Sequence, residues 1–362
     1  MDIYVIPRSF TVLYIYDNIV LLVLGTKEGV KMQENTKKIL FSGVQPSGTL
    51  TLGNYIGAIR NFNLLQDEYN CIFCVVDMHA ITVRQEPSLL RRRRLELAAL
   101  YIASGLDPEK NLIYCQSQVS GHAELNWVLC CFTYMGELNR MTQFKDKVAK
   151  HPDNINAGLY TYPVLMAADI LLFGTDLVPV GSDQKQHLEI ARDIATRFNG
   201  IYGDVFTIPE GYFGKAGTRV MSLSDPLRKM SKSDTEDSFI AMLDEPDVIR
   251  RKMKRAVTDS ETEIRFDREQ KPGVSNLLEI ISALDNVSIE QLEQEFAGKG
   301  YGDLKNRAAD VVIAALEPIQ HEHKKLMADK AYLQTMLDKN AETASKLSYR
   351  ILNKVYRKIG FR

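Results

Sequence analysis

Lys38-Ile-Leu-Phe-Ser-Gly-Val-Gln-Pro-Ser-Gly-Thr-Leu-Thr-Leu-Gly-Asn54 is the stretch that decides the fold. Its first five residues are a short apolar run stopped by Gly43, the pattern of a buried strand. Gln45-Pro-Ser-Gly48 is turn chemistry. Beyond it Leu52, Ile56, Ile59, Phe62 and Leu65 recur at helical spacing, predicting a helix over residues 51–69. A second apolar strand is expected over residues 71–76. Strand, glycine-rich turn, helix and strand make a βαβ unit, the opening of a parallel sheet covered by helices.

Outward from this unit, residues 83–157 read as mostly helical, with one strand-like stretch at residues 112–115. A helix over 160–173, a strand over 177–181 and a helix over 183–198 follow, the last started by Asp183, which suits a helix N-terminus. From residue 244 onward the pattern is helical to the end, with clear periodicity over 275–284, 289–296 and 306–327. The fold class is therefore α/β with a C-terminal all-helical part. Three segments are expected: an extension over 1–37 outside the ordered fold, a sheet domain over 38–243 with a helical insertion at about 83–157, and a helical domain over 244–362.

Composition restricts the function. The chain has 362 residues, 45% hydrophobic and 25% charged, with net charge −1. That is ordinary globular composition with no global basic field, so any nucleic acid must meet a local cluster of Lys and Arg. Arg250, Arg251, Lys252, Lys254 and Arg255 form such a cluster. The run Arg91–Arg94 reads as a solvated helix face. Five cysteines without regular spacing argue for a reducing compartment rather than a disulfide framework. Cys71 and Cys74 fall on opposite faces of a strand and cannot easily share a metal. Ile3 to Leu24 is apolar but broken by Pro7, Arg8, Asp17 and Asn18, a poor spanning helix and a poor signal peptide. The polar stretch after Met32 looks like a cytosolic start, with Met32 as the expected initiator. A cytoplasmic protein without membrane attachment is the expectation.

Two motifs carry chemistry. Thr51-Leu-Gly-Asn54 lies between strand and helix, where Gly53 permits close backbone approach and the helix N-terminus favours anions. Lys229-Met-Ser-Lys-Ser233 offers two ammonium groups that can follow negative charge onto a leaving phosphate, on a loop able to move. Asp169 stands on an otherwise apolar helix, where a carboxylate needs a partner; the plain alternative is an ion pair with a Lys or Arg elsewhere.

The two motifs resemble the ATP-binding signatures of class I aminoacyl-tRNA synthetases. Phe41-Ser-Gly-Val-Gln-Pro-Ser-Gly48, Val76-Asp-Met-His-Ala-Ile-Thr82, Gly136-Glu-Leu-Asn-Arg-Met-Thr-Gln-Phe-Lys145, Leu165-Met-Ala-Ala-Asp-Ile170, Val180-Gly-Ser-Asp-Gln-Lys-Gln-His187 and Ala256-Val-Thr-Asp-Ser260 resemble the tryptophanyl branch of bacterial type. The resemblance implies a Rossmann-like catalytic domain, a C-terminal anticodon-binding domain, a homodimer, and the partners ATP with Mg²⁺, L-tryptophan and tRNA(Trp), with no metal site on the protein. It implies catalytic roles for Thr51, Asn54, Lys229 and Lys232. ATP would be held by Gln45, Pro46, Ser47, Gly53, Asn54, Gly181, Ser182, Asp183, Val220, Lys229, Met230, Ser231, Lys232 and Ser233. Tryptophan would be held by Asp169, which reads the indole N–H, with Met166, Tyr162, Gln184, Phe41, His79 and Val76 around it. For His79 a satisfied core histidine is the alternative. Lys145 would serve a subunit or tRNA contact. The chain departs from the pattern at Ser182, usually Glu, and at Met78, usually Gln or Leu. Three other readings stay open: a tyrosyl enzyme, a smaller nucleotidyltransferase, and a non-catalytic sensor of tryptophan or nucleotide.

Overall fold

The computed structural model describes residues 10–16, 19–26, 29–33, 37–142, 155–181, 184–212, 219–232 and 234–362. It contains two compact units, residues 1–38 and 39–362. In the first, β1 (Phe10–Tyr16), β2 (Ile19–Thr26) and β3 (Gly29–Gln33) form an antiparallel meander. The sequence reading anticipated no such order. Runs rich in Val, Ile and Tyr suit strands without needing the periodicity that a half-buried sheet displays.

The second unit is built on a parallel sheet of β4 (Ile39–Val44), β5 (Asn70–Val75), β6 (Leu112–Cys115), β7 (Leu177–Pro179) and β8 (Glu210–Tyr212), in spatial order β6-β5-β4-β7-β8. Renumbered from β4, the order is 3-2-1-4-5, that of a doubly wound nucleotide-binding sheet. Alternate residues of one strand serve opposite faces. Leu40, Cys71 and Phe73 join one hydrophobic cluster, whereas Phe41, Ile72 and Cys74 join the other.

The opening helix is one helical run with a wider π turn inside it: α1 (Leu52–Asn54), residues Tyr55–Ile59, then α2 (Arg60–Leu65). In the chain, α3 (Asp77–Ala80) and α4 (Pro87–Ala103) precede β6, and α5 (Gly121–Cys130) and α6 (Met135–Asn139) follow it. The stretch expected as a helical insertion thus supplies an edge strand of the sheet itself. Next come α7 (Ala157–Leu171), capped by the Asn156 side chain on Leu159 N–H, and α8 (Lys185–Tyr202). The helical part holds α9 (Pro246–Arg255), α10 (Pro272–Asp285), α11 (Ile289–Glu295), α12 (Tyr301–Ala328) and α13 (Lys330–Ile359).

Helix α13 returns to the sheet. Its Ala341, Ala344, Leu352 and Val355 are buried in the same cluster as Phe41 and Tyr114. Glu124 of α5 accepts hydrogen bonds from the Tyr349 hydroxyl at 2.8 Å and the Tyr356 hydroxyl at 2.7 Å, anchoring the last helix.

Candidate active site

In an open parallel sheet, the gap where the strand order reverses, beyond the carboxyl ends of the strands, is the natural ligand crevice. Here that gap lies between β4 and β7. A cavity of about 340 Å³ occupies it, lined among others by Phe41, Gln45, His79, Tyr162, Met166, Asp169 and Gln184. The volume suits a small organic ligand. Four lining residues come from α7, and their positions 162, 166, 169 and 170 recur every three to four residues, which puts them on one helix face. All residues expected to hold the amino acid are therefore together. Phe41 stacks on Phe173 with ring centroids 6.0 Å apart, and the Tyr162 hydroxyl bonds His187 Nε2 at 2.8 Å.

Asp169 is 1% exposed and is paired neither with Lys nor with Arg among the described residues. Its partners are imidazoles and an amide. His79 Nε2 lies 2.8 Å from Oδ2, while Gln116 Nε2 at 2.6 Å and His122 Nδ1 at 2.7 Å both reach Oδ1. An ionised carboxylate only accepts, so each of these nitrogens carries a proton toward it. Burial alone would push the Asp169 carboxyl up; the hydrogen bonds from His122 and His79 outweigh it and hold the group below the usual aspartate value. His122 Nε2 is in turn 2.9 Å from the Tyr114 hydroxyl. Gln116 is fixed by Met78 N–H, which donates to its Oε1 at 3.1 Å. His79 is both things expected of it, a satisfied buried histidine and a cavity wall.

Sequence reasoning missed Gln116, His122, Tyr114 and His187. Position alone hints at the first: Gln116 follows directly on β6, and carboxyl ends of parallel strands gather functional groups, although nothing local names its partner.

The two signature motifs meet. The segments beside them are joined by an isolated antiparallel bridge: Thr51 pairs with Ala241, Leu52 N–H donates to Ile240 O at 2.8 Å, and Met242 N–H donates to Leu50 O at 2.9 Å. Gly53 faces Val220 and Met230, and Lys232 Nζ donates to Ser47 Oγ at 3.3 Å. Gly48 has φ of +139°, which other residues rarely adopt, and any Cβ there would sit 3.3 Å from Lys232 Nζ. Although Lys232 is exposed as a residue, its ammonium is tucked against this loop. Partial desolvation first, and repulsion from Arg93 second, hold it below the usual lysine value.

The geometry at Thr51 and Val220 adds detail. Thr51 is 3% exposed, and its hydroxyl donates to Asn54 Oδ1 at 3.0 Å while accepting Asn54 N–H at 3.3 Å. It caps the helix in a reciprocal box with Asn54, so its hydroxyl is already engaged, and the exposed Asn54 amide is the better placed donor. Val220 O accepts from Met230 N–H at 3.1 Å, so Val220 belongs to the hairpin that carries the lysine motif. Gly181 is exposed beside the cavity, with its carbonyl accepting Gln184 N–H. Ser182, Asp183, Ser233 and Lys145 lie outside the described residues.

The arginine run is not one solvated face. Arg92 pairs with Glu96 at the surface, but Arg94 turns inward to Asp77 at 3.0 Å and Arg93 acts on Lys232. Asp77 sits at the end of β5, where it also accepts from Ser117 N–H and Oγ–H. The cluster on α9 is largely neutralised: Arg250 pairs with Asp310, Arg251 with Glu236, Lys252 with Asp244 and Arg255 with Asp237.

A doubly wound sheet with a switch-point cavity and the two signature motifs converging beside it is the arrangement expected of a class I synthetase core. The model of the family "tRNA synthetases class I (W and Y)" matches residues 33–317, and the chain belongs to that family. A relative from Clostridium tetani named tryptophan–tRNA ligase is 54% identical over 334 residues, covering 92% of this chain and 98% of its own. The crystal structure of tryptophanyl-tRNA synthetase from Mycoplasma pneumoniae is 35% identical, with TM-score 0.83, covering 90% of this chain and 98% of that one. The Campylobacter jejuni tryptophanyl-tRNA synthetase, solved with ADP and tryptophan, is 36% identical with TM-score 0.77, covering 89% and 99%.

Proposed function

We propose that this chain is a tryptophan–tRNA ligase: it activates L-tryptophan with ATP and transfers it to the 3′ end of tRNA(Trp). The observation that carries the reading is Asp169, an ionised carboxylate at the floor of an aromatic-walled cavity. A carboxylate has about four acceptor positions. Three are used, two on Oδ1 and one on Oδ2. The partner of Oδ2, His79, lines the cavity, whereas Gln116 and His122 do not. Oδ2 is thus the cavity-side oxygen, with one position left for an indole N–H. Tyr162 and Gln184 serve the ammonium and carboxylate of the amino acid, and Met166 and Phe41 pack on the ring.

The tryptophan carboxylate attacks the α-phosphorus of ATP, a P–O bond forms, the bond to the β-phosphate oxygen breaks, and pyrophosphate leaves. The attacking carboxylate is already ionised, so the step needs no general base. Positioning and electrostatics carry the rate. Lys229 and Lys232 meet the charge that accumulates on pyrophosphate, with the Asn54 amide, Gln45, Pro46, Ser47 and the Gly53 backbone around the nucleotide. The 2′-OH of the terminal adenosine then takes the acyl group and AMP leaves. Mg²⁺ entering with ATP would neutralise phosphate charge and assist the departure of pyrophosphate.

Residues 38–243 then form the catalytic domain and 244–362 the tRNA-reading part. Between Thr343 and Arg362 there are six cationic residues and no acidic one. Lys346, Arg350, Lys354 and Arg357 of α13 are exposed and recur every three to four residues, a stripe suited to an RNA backbone. Weaker salt dependence of tRNA binding in Lys354→Ala would support it; an unchanged slope would not. Trp127, Tyr134, Met135 and Ile155 are large, apolar and exposed, and a homodimer would cover them. A monomer by light scattering at micromolar concentration would remove that part. No helix among the described residues is long and apolar enough to cross a membrane. The decisive assay is charging of tRNA(Trp) by the purified chain with tryptophan against tyrosine. Tryptophan-specific charging is expected; tyrosine charging, or none, would overturn the reading.

A further inference from the structure

Helix α10 carries the apolar run Leu277, Leu278, Ile280 and Ile281, all fully buried. Asn276 lies among them, 2% exposed. A polar amide in such a place must find partners for both its ends. It finds them on one residue: Met221 N–H donates to Asn276 Oδ1 at 2.8 Å, and Asn276 Nδ2 donates to Met221 O at 3.0 Å. The side chain thus imitates a neighbouring strand.

Met221 belongs to the hairpin that delivers the lysine motif. It stands opposite Lys229 across an antiparallel bridge. Its neighbours bond inward: Met230 N–H donates to Val220 O at 3.1 Å, and Ser222 N–H donates to Arg228 O at 2.8 Å. Backbone groups alternate sides along a strand, so Met221 alone of the three points outward, and Asn276 meets it.

A second tie runs beside the first. Val257 N–H donates to Leu223 O at 2.8 Å, and Gly273 lies so close to Val257 that a Cβ would come within 2.1 Å of its carbonyl oxygen. Lys271, 1% exposed, holds the same segment through Asp259 at 3.1 Å and Glu261 at 2.7 Å. The Ala256–Ser260 stretch is therefore a strut between hairpin and helix. The hairpin backbone is thereby fixed to the helical part at Met221 and Leu223, while the side chains of Lys229, directly across from Met221, and of Lys232, three residues further on, stay exposed.

We propose that Asn276 is a positioning residue for amino-acid activation: its amide sets the register of the hairpin from which Lys229 and Lys232 reach the phosphates. The proposal rests on the reading of those two lysines as phosphate ligands. It makes Asn276→Asp informative. One oxygen still accepts Met221 N–H, but the other faces the Met221 carbonyl, and two acceptors oppose each other.

The test is a double-mutant cycle on the full chain, measuring the single-turnover rate of adenylate formation and, separately, equilibrium tryptophan binding. N276D should slow adenylate formation roughly 5- to 100-fold, the range for a buried hydrogen bond lost and an unpaired group left behind, with tryptophan affinity within about twofold of wild type, a margin inside ordinary additivity error. In a Lys232→Ala background the further loss should shrink to under about threefold, because residues acting as a unit are not additive. A wild-type rate in N276D overturns the proposal. So does full multiplication of the two losses, or tryptophan binding that falls in step with the rate, since either marks general damage. If the wild-type chain forms no tryptophanyl-adenylate, the underlying reading fails and the proposal with it. A normal wild-type rate with N276D unaffected sinks the proposal alone.

Discussion

The Asp169 corner and the Lys232 corner of the site are built in opposite ways. At Asp169 each described oxygen already has a donor, every partner is buried, and four elements converge: α3, α7, α5 and the turn after β6. At Lys232 the residue is exposed and its ammonium makes a long hydrogen bond to Ser47. The first corner is preorganised, which suits the proposed recognition of one indole N–H, because such selectivity comes from leaving an acceptor unpaired when the wrong ligand enters. The second must admit ATP and release pyrophosphate, which suits a hairpin whose backbone is tied while its lysine side chains stay exposed.

The comparison breaks most visibly at the second corner. Lys232→Ala should reduce the rate of adenylate formation by roughly 10²–10³, the scale for removing one preorganised donor to developing charge. Tryptophan affinity should scarcely move. Near-normal pyrophosphate exchange in the variant would remove Lys232 from the mechanism.

Asp169→Asn probes the first corner. Three donors converge on Asp169, so an Asn amide must turn its NH₂ toward at least one of them. Tryptophan binding should weaken by about 1–3 kcal/mol while ATP binding holds. Equal weakening of both ligands would make Asp169 a structural residue and not the indole reader.

Acid sharpens the same contrast. The folded Asp169 value is depressed, so its contribution to stability is complete above the unfolded aspartate value of about 4 and is lost as pH falls through the still lower folded value. The melting-temperature advantage of wild type over Asp169→Asn should be level above about pH 5 and close only below about pH 4. An advantage that disappeared near neutral pH would contradict this assignment. The smallest effect is expected from deleting residues 1–31. The family match begins at residue 33 and the sheet unit at Ile39. Activity and thermal midpoint should stay close to those of the full chain, and loss of solubility would show the segment to be structural.

Local chemistry made much of this legible. The strand–turn–helix–strand unit, the helices after residue 244, and the cavity face of α7 all announce themselves through periodicity. What stayed hidden depends on contacts across the chain. β8 is Glu210-Gly-Tyr212, with no apolar run to mark it. Helix α7 begins at Ala157, earlier than its apolar pattern, because Asn156 caps it. The carboxylate of Asp169 was visible, but a partner 53 residues away at Gln116 or 47 away at His122 has no local signature. The inward turn of Arg94 likewise depends on Asp77, and the basic character of residues 250–255 is cancelled by acids from elsewhere.

The division of labour between the two corners is the central claim, and one paired measurement tests it: equilibrium tryptophan affinity and the single-turnover adenylate rate at saturating tryptophan and ATP, in wild type, Asp169→Asn and Lys232→Ala. Asp169→Asn should lose affinity with its saturated rate largely preserved, and Lys232→Ala should lose rate with its affinity preserved. Loss of both quantities together in either variant would contradict the claim.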